Sequence, residues 1–531
     1  MPQQTGRFLA AHPPGAAAGW ILQRLTPPSR LFGANGLRTG PDGRIYVAQV
    51  SGSQISAIDV ATGTIETISP LGGDIVAPDD LAFDTQGNLY VTEITEGRVS
   101  VRAPGGPTRV LCGDLPCANP ITFHQGRLFA GECRPGGRIM ELDLNGGAPR
   151  VLLTDVAAPN AMEVGPDNKL YFPVMGTNEI WRVSLDGGAP EIVAGGLGVP
   201  DAVKFDAAGT IVSTQVASGQ VLRIDPRTGS HSVLADIAPG LDNLCFVGNR
   251  LFVSSISGQI TEIVAPGETR PMVADGLSWP LGLAVGADGA LYVGDGPYFY
   301  IIRPGDKLRV AGMLFTPGCP GYIRGVAAAG TGEVIVTTAN GVVARYRPTE
   351  CESVVLASGL DQLYGVAVAP AGEILCAELG TGRVLSIHGN DVETLASGLD
   401  QPMGLAVGHA GNCFVSELRA GRVVRISSGR AETVLDGLQA PQGILCHGHL
   451  LYVVDAGAKE LIEYDMKTGI RTTIATRLPV GPPPGVVPKK LRAIPPLSGP
   501  MGPFAGIAIN ATGTLYISGD AEGSILVLRR E

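Results

Sequence analysis

This chain has no basic block, no long apolar run and few aromatic residues. Lys and Arg total 39 against 49 Asp and Glu, a formal net charge of −10. Phosphate backbones are held by clustered Lys and Arg, so the composition argues against nucleic acid as a partner. No stretch reaches the ~18 continuous apolar residues of a membrane span, so no membrane partner is expected. The opening "MPQQTGRFLAAHPPGAAAGW" lacks a basic segment followed by an apolar core. We read residues 1–18 as a flexible lead and expect a cytoplasmic protein. Nine cysteines include no CxxC pair and no Cys/His zinc spacing. They are read as free thiols. A Cys112–Cys117 disulfide is the alternative, unusual in a reducing compartment. What remains is a small-molecule substrate, with the oligomeric state open.

Glycine and proline are abundant, at 75 and 41 copies. They punctuate short alternating apolar runs, the pattern of an all-β chain. One word repeats: an apolar strand, a Gly-containing turn, a strand like "LYV", then a strand like "GRVVRI". Aligning the first residue of each inner strand gives Asn35, Asp79, Asn119, Asn160, Asp201 and Asp242. It continues with Leu281, Arg324, Tyr364, Met403, Gln442 and Ala505. Steps lie near 40 residues, the period of four-stranded propeller blades. Blades bury their faces only by closing into a ring, and rings carry about 4–8 of them. Twelve repeats therefore predict two consecutive six-bladed β-propellers, at 19–268 and 269–531, with a Pro-rich insertion at 478–503. The simplest closure completes the Asn243 blade with the strand near Ile21–Leu25. It completes the Tyr516 blade with the strand near Pro271–Asp275. A rival closure ties the N-terminal strand to the last blade.

The two rings differ at their channel mouths. All six mouth residues of the first ring are Asn or Asp; none in the second is. In the second ring the next residue is Gly each time: Gly282, Gly325, Gly365, Gly404, Gly443 and Gly506. Three positions beyond the mouth, the first ring has Arg38, Ala82, Thr122, Glu163, Lys204 and Cys245, whereas the second has Ala five times and Leu445. The first channel is thus polar and the second apolar and structural. Asn and Asp also cap turns, but turn chemistry alone does not put six in one ring and none in the other. Oxygen side chains converging on an axis suit a hard cation, and clustered carboxylates need one or must protonate. Calcium suits such ligands best, with magnesium, manganese or zinc as alternatives.

Three first-ring words resemble blades of the SMP-30/gluconolactonase family: "CANPITFHQGRLFAGE", "APNAMEVGPDNKLYF" and "VPDAVKFDAAGTIVSTQVASGQVLRIDP". Second-ring words such as "QPMGLAVGHAGNCFVSELRAGRVVRI" are closer to NHL-type blades. The resemblance implies Asn119, Asn160 and Asp201 as metal ligands, with Asp201 also beside the reacting water or carbonyl. The family's first-blade glutamate is replaced here by "ANG", making Asn35 the substitute ligand. Asp79, Asp80, Asp242, Asn243, Arg38 and Glu163 form the surrounding wall.

The expected activity is metal-dependent hydrolysis of a lactone or ester, the cation polarising the carbonyl and acidifying a water. Asp201 is the expected base, with Glu93 and Glu132 in reserve because they end second strands on the mouth face. Glu378 and Glu417 repeat that pattern in the second ring, which gives it a structural reading too. Lys204 and Glu163 are expected to form a channel salt bridge, with Lys204 a secondary catalytic candidate. A lyase or isomerase working through an enolate in the same site is one alternative. A non-enzymatic NHL-type scaffold is the other.

Overall fold

The computed structural model describes Arg7 and residues 12–389, 391–408 and 411–531. Most of the expected 1–18 lead lies outside these residues, but Gly15–Ala16 is a short strand on Arg471–Thr476. No helix among the described residues is long and apolar enough to cross a membrane. Strands make twelve antiparallel sheets, each built from consecutive strands except where the N-terminus joins. The turns explain why consecutive strands fold back. In "DTQGN", Asp84 Oδ1 accepts the N–H groups of Gln86 and Asn88, both at 2.9 Å, while Gly87 takes a φ of 82°.

The first ring is a compact unit of residues 31–275 joined by 486–495. Its inner strands are Leu37–Thr39, Pro78–Phe83, Ala118–His124, Glu163–Val164, Pro200–Phe205 and Leu241–Val247. Its sixth blade is completed by Glu268–Val273, which pairs with Ile260–Ala265. The second unit comprises residues 1–30, 276–485 and 496–531. There Trp20–Arg24 pairs with Ser524–Arg530, from Trp20 opposite Arg530 to Arg24 opposite Leu526. The rival closure is therefore the one adopted, and the clasp scheme for both rings is corrected. The reason is local: the Glu268–Val273 strand follows its partner by a two-residue turn, leaving no vacancy for the N-terminus. The unit boundaries move accordingly, from 19 and 268 to 31 and 275.

Hydroxyls near the ends of second strands tie blade to blade. Thr92 accepts the Asp80 N–H at 2.9 Å and donates to the Asn119 carbonyl of the next blade at 2.7 Å. Ser254 does the same between Asn243 and Asn35, closing the first ring. Ser416 bridges Gly404 and Gln442, and Ser518 donates to Leu281, closing the second. Apolar side chains fill the wedges between blades. Tyr46, Ile55, Leu81, Leu89 and Val91 pack between the first two, with Tyr46 and Phe83 edge to face at 4.9 Å.

The second ring's glycine column has a steric cause. A Cβ on Gly282, Gly325, Gly365, Gly404, Gly443 or Gly506 would lie 2.1–2.6 Å from the next blade's mouth carbonyl oxygen. The inner strands close so tightly that only a cavity of about 40 Å³ stays on the axis. That is room for roughly one water. The prediction is that Gly443→Ala destabilises the protein by about 1–3 kcal/mol in urea unfolding, as overpacking does. The same change at exposed Gly113, where nothing lies within 4 Å, leaves the midpoint unchanged.

Candidate functional site

The first ring's mouth is built in two layers. In the lower layer the inner strands send charged side chains across the channel. Arg38 Nη1 donates to Glu163 Oε2 at 3.0 Å, and Lys204 Nζ to the same oxygen at 2.7 Å. Arg38 also donates to the carbonyls of Leu81 and Ile121, at 2.7 and 2.9 Å, spanning three blades. Asp80 Oδ1 accepts the Leu81 N–H at 2.8 Å and the Asn243 amide at 3.2 Å, and Oδ2 accepts the Ile121 N–H. Burial alone would raise Glu163, but Lys204 and Arg38 outweigh it and hold the carboxyl down to about 2. Burial pushes Lys204 below the usual lysine range, helped by Arg38. This layer is a satisfied ionic floor, with Lys204 fixed on Glu163.

The upper layer is not satisfied. Asp79, Asp201 and Asp242 are all buried. Burial first, then Asp242 and Asp79, pushes Asp201 well above the carboxylate range. Burial first, then Asp242 and Asp80, does the same to Asp79. Asp242 is pushed up to about 7 by burial, although the Asn35 amide donating to it at 3.0 Å counteracts. Asp201 Oδ1 is buried with no hydrogen-bond partner among the described residues. Leaving such an oxygen unpaired costs about 1–3 kcal/mol, and more when charged.

The predicted ligands fare differently. Asp201 offers a free oxygen. Asn119 is buried and its side chain makes no hydrogen bond to the described residues. Asn160 Oδ1 takes the Ala161 N–H at 2.8 Å, while its Nδ2 faces Met175 Sδ at 3.2 Å. Asn35 is occupied: Oδ1 takes the Val50 N–H at 3.1 Å and the amide holds Asp242. Among the described residues no three His, Cys, Asp or Glu side chains gather as a metal cluster. The donor set still fits a hard cation that takes few protein ligands and completes its shell with water. The orphaned Asp201 oxygen, inside a field of like charge, is the observation in favour.

Glu93 and Glu132, the reserve bases, are both engaged by arginines. Both Glu93 oxygens are clamped by Arg98, at 2.9 and 2.7 Å, and one also accepts the Val76 N–H. Glu132 is held by Arg134 and Arg138. Glu378 with Arg383 and Glu417 with Arg422 repeat the clamp in the other ring. Glu93, Glu378 and Glu417 also accept an N–H from the loop before their blade, from Val76, Asp361 and Asp400, and in all four both oxygens are engaged.

Two features escaped the sequence reading, while the free-thiol reading of the cysteines holds. Cys133 is buried at the mouth, its thiol raised well above the usual range by burial, then by Asp201 and Asp79. Its Sγ lies 3.9 Å from Met175 Sδ. The signal was its place directly after a second strand. The insertion also divides: residues 486–495 pack with the first ring, not the second. Leu491 and Ile494 are buried, Arg492 lies 3.6 Å from Glu96, and Cys117 Sγ faces the Pro495 carbonyl. All nine cysteines are free, Cys112 and Cys117 included.

A pH prediction follows for the metal-free protein. A carboxyl raised in the fold binds its proton more tightly there than in the unfolded chain. Stability is then full below the unfolded value near 3.8 and falls as pH rises toward about 7. Asp79, Asp80 and Asp201 act in the same direction, although Arg38 and Lys204 limit the rise of Asp80. Melting in chelator should therefore drop between pH 5 and 8, and Asp242→Asn should flatten the drop. A second prediction is that Glu93→Gln lowers the melting temperature but leaves ligand binding and turnover at the mouth within about twofold. Loss of activity at wild-type stability would reinstate it as a base.

No curated protein matches the chain. Among solved structures, virginiamycin B lyase from Staphylococcus aureus is 17% identical, over 54% of this chain and 98% of that one, with a TM-score of 0.38. A putative gluconolactonase is 18% identical, over 48% and 95%, with a TM-score of 0.39. Regucalcin, a calcium-binding protein from Agrobacterium tumefaciens str. C58, is 21% identical, over 47% and 95%, with a TM-score of 0.38. The family profile matches residues 35–257, spanning all six mouth residues of the first ring. That profile is of the SMP-30/Gluconolactonase/LRE-like region, to which the first propeller is similar.

Proposed function

We propose that the first propeller is a metal-dependent hydrolase of a small lactone or ester, working at its channel mouth. The observation that carries this reading is the buried, unpartnered Asp201 oxygen beside Asp79 and Asp242. Asp201 and Asn119 would hold a divalent ion, calcium by the all-oxygen donor set, with Asn160 beside them. The ion supplies Lewis acidity toward a carbonyl oxygen. Asp201, raised above ordinary carboxylates by burial, is the group placed to take a proton from water. Asp79 and Asp242 would add negative charge around the cation once its presence favours their ionised forms. The floor of Arg38, Glu163 and Lys204 keeps those acids in register and seals the channel below them. A cytoplasmic location belongs to this reading and is supported by nine free thiols.

The test is turnover of a panel of lactones and aryl esters by chelated protein, with calcium, magnesium, manganese or zinc restored singly. Turnover should return with one ion and fall about 100-fold or more in Asp201→Asn, the scale of a lost general base. Products made in oxygen-18 water should carry the label. Unlabelled products would move the same site to the lyase or isomerase reading. Turnover indifferent to chelation would defeat both.

A further inference from the structure

The second ring's mouth holds a charge that no carboxylate among the described residues answers. Arg324 begins an inner strand there and is 0% exposed. Its Nη1 donates to the Leu363 carbonyl at 3.2 Å, and its Cζ lies 4.3 Å over the Tyr364 ring. Nε and Nη2 are buried and have no hydrogen-bond acceptor among the described residues. No carboxylate pairs with Arg324 among them either. The other mouth residues, Leu281, Tyr364, Met403, Gln442 and Ala505, contain no acid. Gln442 is committed, its Oε1 accepting the Ala505 N–H at 2.6 Å.

The unanswered atoms are a matched pair. In a guanidinium, Nε–H and one Nη2–H lie parallel on one edge. That edge binds carboxylate or phosphate through two parallel bonds. Here the opposite edge is anchored to the backbone and one face is stacked on Tyr364, so the guanidinium is fixed in orientation. A water or carbonyl would satisfy the N–H groups but not the charge. Burying a cation without a counter-charge is among the costliest arrangements in a protein.

The site also has a roof. The chain at 496–504 runs along the rim within the same compact unit. Asn340 donates to the Pro496 carbonyl at 3.0 Å, and Gly499 lies against the Ala339 carbonyl. A Cβ on Gly502 would meet the Tyr364 hydroxyl at 2.6 Å, and Phe504 packs edge-on to Tyr364 at 5.9 Å. Desolvation under such a cover strengthens an ion pair formed there.

We propose that the second propeller's mouth is an oxyanion-binding site, in which Arg324 takes the carboxylate or phosphate group of a small ligand side-on through Nε and Nη2. The site is separate from the first-ring chemistry and stands whether or not that ring hydrolyses anything.

The test uses the whole chain in calorimetry and thermal melting. Sodium acetate and sodium phosphate are the probes, each against sodium chloride at equal ionic strength. One saturable site per chain is expected, with a melting temperature raised by the favoured oxyanion. The acetate and phosphate arms distinguish a carboxylate ligand from a phosphate one. Binding should vanish in Arg324→Gln, weaken about tenfold or more in Arg324→Lys, which lacks the fork, and persist in Asp201→Asn. No saturable binding of either oxyanion to the unmodified protein would overturn the proposal, as would equal affinity in Arg324→Gln. If Arg324→Gln does not fold, crystals of the unmodified protein soaked in selenate decide the location. Anomalous density against Nε and Nη2 supports the site; water there overturns it.

Discussion

Everything distinctive in this protein follows from how closely six inner strands approach one axis. In the second ring each inner strand lays a glycine against the next blade's mouth carbonyl, and a methyl group at any of these positions would collide with it. In the first ring only Gly36 keeps that contact, with the Asp79 carbonyl. Asp80, Pro120, Ala161, Ala202 and Asn243 occupy the other five places. Each carries a Cβ, so those strands cannot close to the same distance. The space gained is filled by Arg38, Glu163, Lys204, Asp80 and Asn243, bonded to one another and to the backbone. One residue type at one register position thus decides how far an axis opens.

The ionic floor shows how burial and pairing divide the work. A buried ion pair is weak evidence for stability, because desolvation offsets most of the attraction. This one is shared: Glu163 receives both Arg38 and Lys204, and Arg38 reaches two further carbonyls. Its groups are satisfied, so it specifies a geometry. The aspartates above it are not satisfied, and burial shifts them toward their protonated forms. A protein that buries several acids beside one another, with one oxygen unpartnered, forgoes stability that packing alone would have supplied.

Much of this was legible in the sequence because it is periodic. A word repeated at about 40 residues fixes blade count, and its columns expose the contrast between Asn/Asp and Leu, Tyr or Met. Ring closure was not legible, since a lone strand such as Trp20–Arg24 fits any open edge and only neighbouring chain geometry selects one. Glu93 and Glu132 were misjudged because a strand-end glutamate looks the same whether it faces a site or an arginine two to six residues on. The split of the insertion was hidden because proline-rich sequence carries no period. Arg324 stood in plain view in an otherwise uncharged column, and a lone charge among apolar neighbours reads as noise until its partners are counted.

The two mouths are therefore electrostatic opposites on the same scaffold. The first gathers acids, one with an unpartnered oxygen; the second buries a guanidinium with no carboxylate partner among the described residues. The contrast does not reduce to net charge, because a chain at −10 has acids to spare, yet none among the described residues pairs with Arg324. Nor is it a packing accident in the second ring. Its other blades begin with Leu281, Tyr364, Met403, Gln442 and Ala505, so an uncharged residue plainly suits that column. An arginine kept there, stacked on Tyr364 with its fork open, costs stability at a position where leucine would add to it. The same reasoning assigns chemistry to the aspartates of the first ring. Applied evenly, it makes the second ring more than a buttress.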